Sequence, residues 1–335
     1  MQNPTRLKFN AYVAAIAALN GVASATEAFT IAPSVQQTLE TKVQESSAFL
    51  SAINMIGVRE MQGAKLGLGT NGTIASRTNT ANADRVPRDV SAIDGTGYQC
   101  YKTDFDTAIP YALLDAWAKF PDFQTRLRDV IVKQQALDRL MIGFNGVTAA
   151  ADTNRALNPL LQDVNIGWLQ ILRTQAPTRV MDHGAAAGTI TVGANGDYTN
   201  LDALVYDAYQ TMVDPWHREA PGLVAIVGRG LMHDKLFPLV SDQSAPTEQL
   251  AADIVRSQRR LGGLPGISAP FMPANTVLVT SLDNLSIYWQ ESARRRHVID
   301  NPRRDRIENF ESSNDAYVVE DFGKCVLIEK IDLLG

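Results

Sequence analysis

The segment Tyr111–Gly146, YALLDAWAKFPDFQTRLRDVIVKQQALDRLMIGFNG, decides how the rest of the chain is read. From Asp122 onward Phe123, Leu127, Val130, Ile131, Leu137, Leu140, Met141 and Phe144 recur close to helical spacing. Arg126, Arg128, Asp129, Lys133, Asp138 and Arg139 take much of the remaining surface. Pro121 suits a first helical turn and Asn145-Gly146 is a stop signal. A helix of this length spans roughly 35 Å at about 1.5 Å per residue. Helices in globular proteins average about 11 to 12 residues, so this one reads as a spine. Its expected core positions are Leu127, Val130, Ile131, Leu137, Leu140, Met141 and Phe144.

The chain has 335 residues, 45% of them hydrophobic and 20% charged, the composition of a soluble globular protein with ample core. A net charge of −5 argues against nucleic-acid recognition, which needs a basic surface. Cys100 and Cys325 are too few and too distant in sequence for a disulfide framework or a structural zinc site. No stretch approaches the roughly 20 apolar residues of a membrane span.

Outward from the spine toward the N-terminus, residues 63–110 turn rich in Gly, Thr, Asn and Ala. Leu66 and Leu68 alternate with small residues, as do Tyr98 and Cys100, then Phe105, Thr107 and Ile109. Two strands joined by a long polar tip near Arg77–Gly97 are expected, and a loop of that length usually works outside its own domain. Residues 33–54 form a polar, helix-compatible pattern anchored by Phe49, Leu50 and Ile53. Residues 22–32 are small and uncommitted, a linker open to proteolysis. Residues 1–21 predict an amphipathic helix with Phe9, Tyr12, Val13, Ile16 and Leu19 on one face. Arg6 and Lys8, the run AYVAAIAAL and Ala23-Ser24-Ala25 also outline a secretory signal, although the run is short and flanked by Asn10 and Asn20.

Beyond the spine, helices are expected through Trp168 and Leu172, over Leu201–Val213 and around Leu250–Gln258. Strands are expected at Leu223–Val227, Val277–Val279, Leu285–Trp289, Ala316–Val319 and Cys325–Ile328, with Gly262–Gly266 a loop. This section reads as one α/β unit whose tail returns to the spine.

Chemistry-bearing motifs are few. Gly67-Leu68-Gly69-Thr70-Asn71-Gly72 spells a dinucleotide fingerprint, but TIASRTNTANADR follows where a helix must begin. His183, His217, His233 and His297 are scattered without ligand spacing. No nucleophile motif is present, and Glu320-Asp321 reads as a solvated strand end. Arg294-Arg295-Arg296-His297 with Arg303, Arg304 and Arg306 is the one basic concentration. Asp300, Asp305 and Glu308 interleave with it, which favours inter-subunit ion pairs or a solvated face over nucleic acid. Neither a cofactor nor a metal is expected. A cytosolic α/β enzyme with a spatially assembled site and a secreted binding protein are the rival classes.

QESSAFLSAIN (44–54), GTIASRT (72–78), DFQTRLRDVIVKQQALDRLMIGFNG (122–146), NPLLQDVNIGWLQ (158–170), DYTNLDALVYDA (197–208), LVAIVGRGLMHDKLFPLV (223–240) and DAYVVEDFGKCVLIEKI (315–331) form collinear blocks. So do APTRVM (176–181) and NLSIYW (284–289). The chain resembles, over nearly its whole length, the major capsid proteins of P2-like tailed phages. It departs in a shorter insert around 182–190 and in stopping soon after Ile331.

The resemblance implies an α+β, Hong Kong 97-type (HK97-like) capsid fold. Its parts would be an N-terminal scaffold-contacting propeptide (1–29), an N-arm (30–60), an E-loop hairpin (61–110) and a P-domain with the spine helix (111–165). An A-domain (166–293) and return strands of both domains (294–335) would follow. It further implies a virion protein, assembled in the bacterial cytoplasm into hexamers and pentamers that enclose double-stranded DNA without sequence-specific binding. Its implied partners are copies of itself, an internal scaffold and prehead protease, a portal protein and possible decoration proteins, with no membrane. Removal of the N-terminal segment would fall near Phe29-Thr30, which displaces the secretory reading. Arg77, Arg85 and Arg88 of the hairpin tip are the expected inter-subunit contacts.

Overall fold

In the computed structural model, residues 1–65, 69–70, 75–82, 84–87, 91–92, 97–120, 122–232 and 260–334 are described. Leu66, Leu68, Arg88, His233 and the expected helix at 250–258 lie outside them. Among these residues the α-helices are α1 (Asn3–Asn20), α2 (Pro33–Glu45), α3 (Ala48–Ala52), α4 (Tyr111–Trp117), α5 (Phe123–Asn145), α6 (Trp168–Gln175) and α7 (Leu201–Met212). Helix α5 is the spine, and Gly146 donates its N–H to Ile142 O as the helix ends.

The strand Arg306–Val319 is the axle of a seven-stranded sheet. Along one edge it pairs antiparallel with Arg295–Asn301 and then Leu285–Gln290. Along the other it pairs with Thr107–Pro110 and Tyr101–Asp104. Asn54–Val58 extends the sheet in parallel to Leu285–Gln290, and Phe29–Thr30 pairs with Arg296 and Arg295. The strand Leu285–Gln290, assigned to the central α/β unit by its sequence position, therefore hydrogen-bonds in the spine's sheet.

A second, six-stranded sheet runs in the order Arg260–Leu261, Leu264–Ser268, Leu223–Val227, Val277–Ser281, Val326–Ile328, Val180–Met181. Every residue of Val277–Ser281 is buried, in keeping with its continuous apolar run. The expected loop Gly262–Gly266 is instead a tight hairpin. Gly262 and Gly263 have φ of +57° and +86°, which lets two residues close the turn.

The spine divides its buried surface between two clusters. Leu127 and Ile131 pack with α1, Val298 and Ile307. Val132, Ala136, Leu140, Ile142 and Phe144 pack with α3, α6 and the first sheet. Of the expected core positions, Leu137 and Met141 are half-buried, and Val130 is 54% exposed. Val130 shares the spacing of the stripe but falls at its margin, where no neighbouring element covers it. Conversely Gln135 and Arg139 are buried.

Trp168 fills the joint between spine and sheet. Its ring meets Phe144 and Tyr317 edge-on at 5.3 Å each, and its Nε1 donates to Ser286 O at 3.0 Å. Gly143 makes room for it, because a Cβ there would stand 2.3 Å from the Trp168 Cζ3. Gly143→Ala is expected to push this ring out of a close-packed site and cost about 1–3 kcal/mol. A lowered thermal midpoint followed by tryptophan fluorescence would register it; an unchanged midpoint would contradict the packing described.

Candidate subunit interface

The arm, spine and axle strand meet at a buried cluster of charges. Residues 127, 131, 135 and 139 repeat every four positions, so Gln135 and Arg139 continue the apolar stripe begun by Leu127 and Ile131. On the axle strand Glu311, Ser313 and Asp315 alternate in phase with Ile307 and Tyr317 on the inward side. On α2 the buried face is Gln36, Glu40 and Val43.

Arg139 makes a two-pronged pair with Glu40 and another with Asp315, the latter through Nε at 3.2 Å and Nη2 at 3.3 Å. Arg294 bonds Glu40 through Nη1, Glu311 through Nε at 2.7 Å and Gln135 Oε1 through Nη2 at 2.7 Å. Gln135 Nε2 donates to Glu311 at 3.1 Å, and Ser313 Oγ donates to Asp315 at 2.6 Å. Both arginines are fully buried. Arg139 is thus not a surface charge of the spine. Arg294 is neither an inter-subunit ion-pair residue nor part of a solvated face, because its partners lie inside its own chain.

Burial opposes ionisation of all three carboxyls. Arg139 and Arg294 nonetheless hold Glu40 below the ordinary glutamate range, and Arg294 and Arg296 do the same for Glu311. Asp315 is pushed upward by burial and by the Glu40 charge, against the pull of Arg139.

The N-terminal segment is folded onto the body. Phe9, Tyr12, Ile16 and Ala17 of α1 pack against Tyr111, Leu114, Leu127, Ile131, Val298 and Ile307. Arg6 pairs with Asp300 at 2.8 Å, and Arg296 Nη2 donates to Tyr12 OH at 3.1 Å. The expected open linker at 22–32 is pinned. Ala25, Phe29 and Ile31 are buried, Ile31 N donates to Arg294 O at 2.9 Å, and Val298 N donates to Ala25 O at 3.1 Å. Its small residues fit because they lie flat along a strand edge, a feature that composition alone reads as a lack of commitment.

The hairpin before the spine pairs Gln62–Ala64 with Gly97–Gln99 and, farther out, Gly69–Thr70 with Ser91–Ala92. Gly69 and Thr70 are therefore strand rather than the first residues of a helix that could bind a pyrophosphate. Arg77 and Arg85 are exposed near the tip and form no ion pair among the described residues.

The remaining motifs are structural. His217 faces Asp321 at 3.1 Å, His297 faces Thr26 O at 2.9 Å, and His183 faces Asp182 at 2.9 Å. Glu320 accepts from Ser286 Oγ at 2.5 Å and from Tyr288 OH at 2.8 Å, so Glu320 and Asp321 are tied-down acceptors rather than a solvated strand end. Cys100 and Cys325 are free and buried, and burial pushes both thiols up to about 12. Among the described residues no group of three or more His, Cys, Asp or Glu could hold a metal, and no helix is long and apolar enough to cross a membrane.

Residues 8–331 match the family described as phage major capsid protein, P2 family. The chain belongs to that family. It is 47% identical over 340 aligned positions to the capsid protein of Escherichia phage P2, covering 99% of this chain and 95% of that one. It is 40% identical to the major capsid protein of Serratia phage KSP20, covering 99% and 97%. Among solved structures it superimposes on a chain of the satellite phage P4 procapsid that includes a size determination protein. That match has a TM-score of 0.84 and 45% identity, over 100% of this chain and 99% of that one. The fold is α+β and of the Hong Kong 97 type. Family members are structural proteins of virion shells, not enzymes.

Removing one partner of the buried cluster leaves an uncompensated charge, so Arg139→Met is expected to destabilise the subunit by about 3–5 kcal/mol. The depressed Glu40 and Glu311 contribute stability that is complete above the ordinary glutamate value. It falls away as pH drops from there through their lower folded values. Raised Asp315 works in the opposite sense, its protonation favouring the folded state as pH falls. Denaturant unfolding across this acid range should therefore show a shallower pH dependence for Glu40→Gln than for the unmutated chain, and equal slopes would contradict the assignment.

Proposed function

We propose that this chain assembles as hexamers and pentamers into an icosahedral phage head that encloses double-stranded DNA. The observation that carries the reading is a packed body with a hairpin whose exposed Arg77 and Arg85 form no ion pair among the described residues. One sequence must make similar contacts in rings of different size, and a bending hairpin and arm on a stiff spine permit that. The tip arginines, Arg88 included by its sequence position, pair with acidic groups on the adjacent subunit. Each exposed pair contributes only about 0–1 kcal/mol, but a closed shell repeats it at every interface.

Residues 1–29 serve assembly, with an internal scaffold as their partner and a prehead protease acting near Phe29-Thr30. Phe29 is buried and both residues are strand-paired, so cleavage there requires the Phe29–Thr30 edge to peel from Arg295 and Arg296. Portal and decoration proteins complete the head, and subunit rearrangement matures it. A weakly acidic wall, with a net charge of −5 per chain, lets packaged DNA slide during filling and ejection.

Negative-stain electron microscopy of the chain expressed with its scaffold should show uniform round shells, and irregular or no assemblies without it. Small discrete oligomers under every condition would refute the shell reading. Deleting residues 2–21 strips α1 from its apolar seat and should abolish regular shells; normal shells from that variant would refute the assembly role of the segment. The triple change of Arg77, Arg85 and Arg88 to alanine should lower shell yield and stability, and shells of wild-type yield would count against the tip contacts.

A further inference from the structure

A groove of about 410 Å³ opens where the base of the hairpin, the spine and the loop after the spine converge. Its apolar walls are Phe105, Ile131, Met141, Pro159 and Leu161, and its three acids are Asp104 and Asp106 at the hairpin base and Asp138 on the spine. Asp106 Oδ1 accepts the Glu311 N–H at 3.2 Å, and Asp138 Oδ1 accepts from Gln134 Nε2 at 2.8 Å. Neither Asp106 nor Asp138 has an ion pair among the described residues. Lys102 is committed to Asp104 at 2.8 Å, and Arg155, which also lines the groove, stands too far from either acid to pair. Thr107 lines the same groove and keeps a buried Oγ1 without a hydrogen-bond partner.

We propose that this groove is the socket for a guanidinium of the neighbouring copy's hairpin, Arg77 or Arg85. The proposal rests on the shell reading above and names the acids that receive the tip. Three observations fit one another. The groove offers two carboxylates that form no ion pair among the described residues, with Arg155 alone as a cation in the lining, and a hydroxyl oxygen lacking a donor. The same chain carries exposed arginines, Arg77 and Arg85, that form no ion pair among the described residues. A guanidinium is planar, presents five N–H donors and lays its alkyl stem on apolar walls, which matches a groove of mixed character better than a compact ammonium would.

Desolvation raises both carboxyls above the ordinary aspartate range, with Arg155 pulling the other way, so an arriving cation relieves a cost already present. Reach is sufficient as well. An extended chain from Ala64 to Arg77 spans roughly 40 Å at about 3.3 Å per residue.

The direct test is site-specific cross-linking in assembled shells. Chains carrying Asp138→Cys are co-assembled with chains carrying Arg77→Cys or Arg85→Cys and then oxidised. A dimer band on a non-reducing gel is expected for one of the two pairings in shells and for neither in dissociated subunits. Native Cys100 and Cys325 are buried and should stay silent.

In parallel, Asp138→Lys should lower shell yield by about tenfold or more while the soluble subunit keeps its thermal midpoint. Combining it with Arg77→Glu or Arg85→Glu should recover much of that loss. Shells of Asp138→Lys at full yield, or intact shells without either cross-link, would overturn the socket. Absence of shells from the unmutated chain would instead overturn the shell reading, so the two failures are distinguishable.

Discussion

The pairing of Arg139 with Glu40, inside a cluster completed by Arg294, Glu311 and Asp315, is the contact on which the arrangement of the subunit depends. Taking this many charges out of water costs several kcal/mol per ion. The cost is offset only where nearly every donor finds an acceptor, as Gln135 and Ser313 ensure here. An apolar seam between arm and spine could slide by a turn and still bury its surface. A seam built on forked guanidinium–carboxylate pairs cannot, because a shift by one turn strands a buried charge. The cluster therefore sets where α2 lies on α5 and where both lie on the axle strand.

Around that fixed point the molecule separates what must be stiff from what must reach. The spine and its sheet are locked by Trp168 and the charge cluster, and the second sheet holds two strands buried throughout, Val277–Ser281 and Val326–Ile328. The hairpin leaves this body through two short ladders, and its long tip follows the outer one in sequence. Its Arg77 and Arg85 form no ion pair among the described residues, while the body carries acids with room beside them. A subunit whose own charges are unsatisfied in complementary places is suited to a closed lattice, where each copy both supplies and receives the same contact.

The N-terminal segment adds a second layer to this design. It docks through an apolar face and through polar contacts such as Arg6–Asp300 and Arg296–Tyr12. It thereby covers Leu127, Ile131, Val298 and Ile307, which belong to the spine and its sheet. The state of the N-terminus and the exposure of the spine's sheet are consequently coupled through direct packing.

The sequence by itself determined the elements that local physics dictates. Helical spacing and an Asn-Gly stop marked the spine, alternation and glycine content marked the reaching hairpin, and a continuous apolar run marked Leu223–Val227. Collinear blocks determined the family. Only tertiary structure decided which side chains face inward. Val130 keeps the helical period yet finds nothing above it. Arg139, Arg294, Glu311 and Asp315 are among the most polar residues in the chain, and a hydrophobicity pattern assigns each of them to solvent.

Two signals pointed the other way: Gln135 and Arg139 stand in register with Leu127 and Ile131, and Glu311 and Asp315 stand in phase with Ile307 and Tyr317. Register alone cannot show that opposite charges from three distant segments meet. A buried charge is tolerated only when its partner is present, and partners as far apart in sequence as Glu40, Arg139 and Asp315 are brought together by the fold alone.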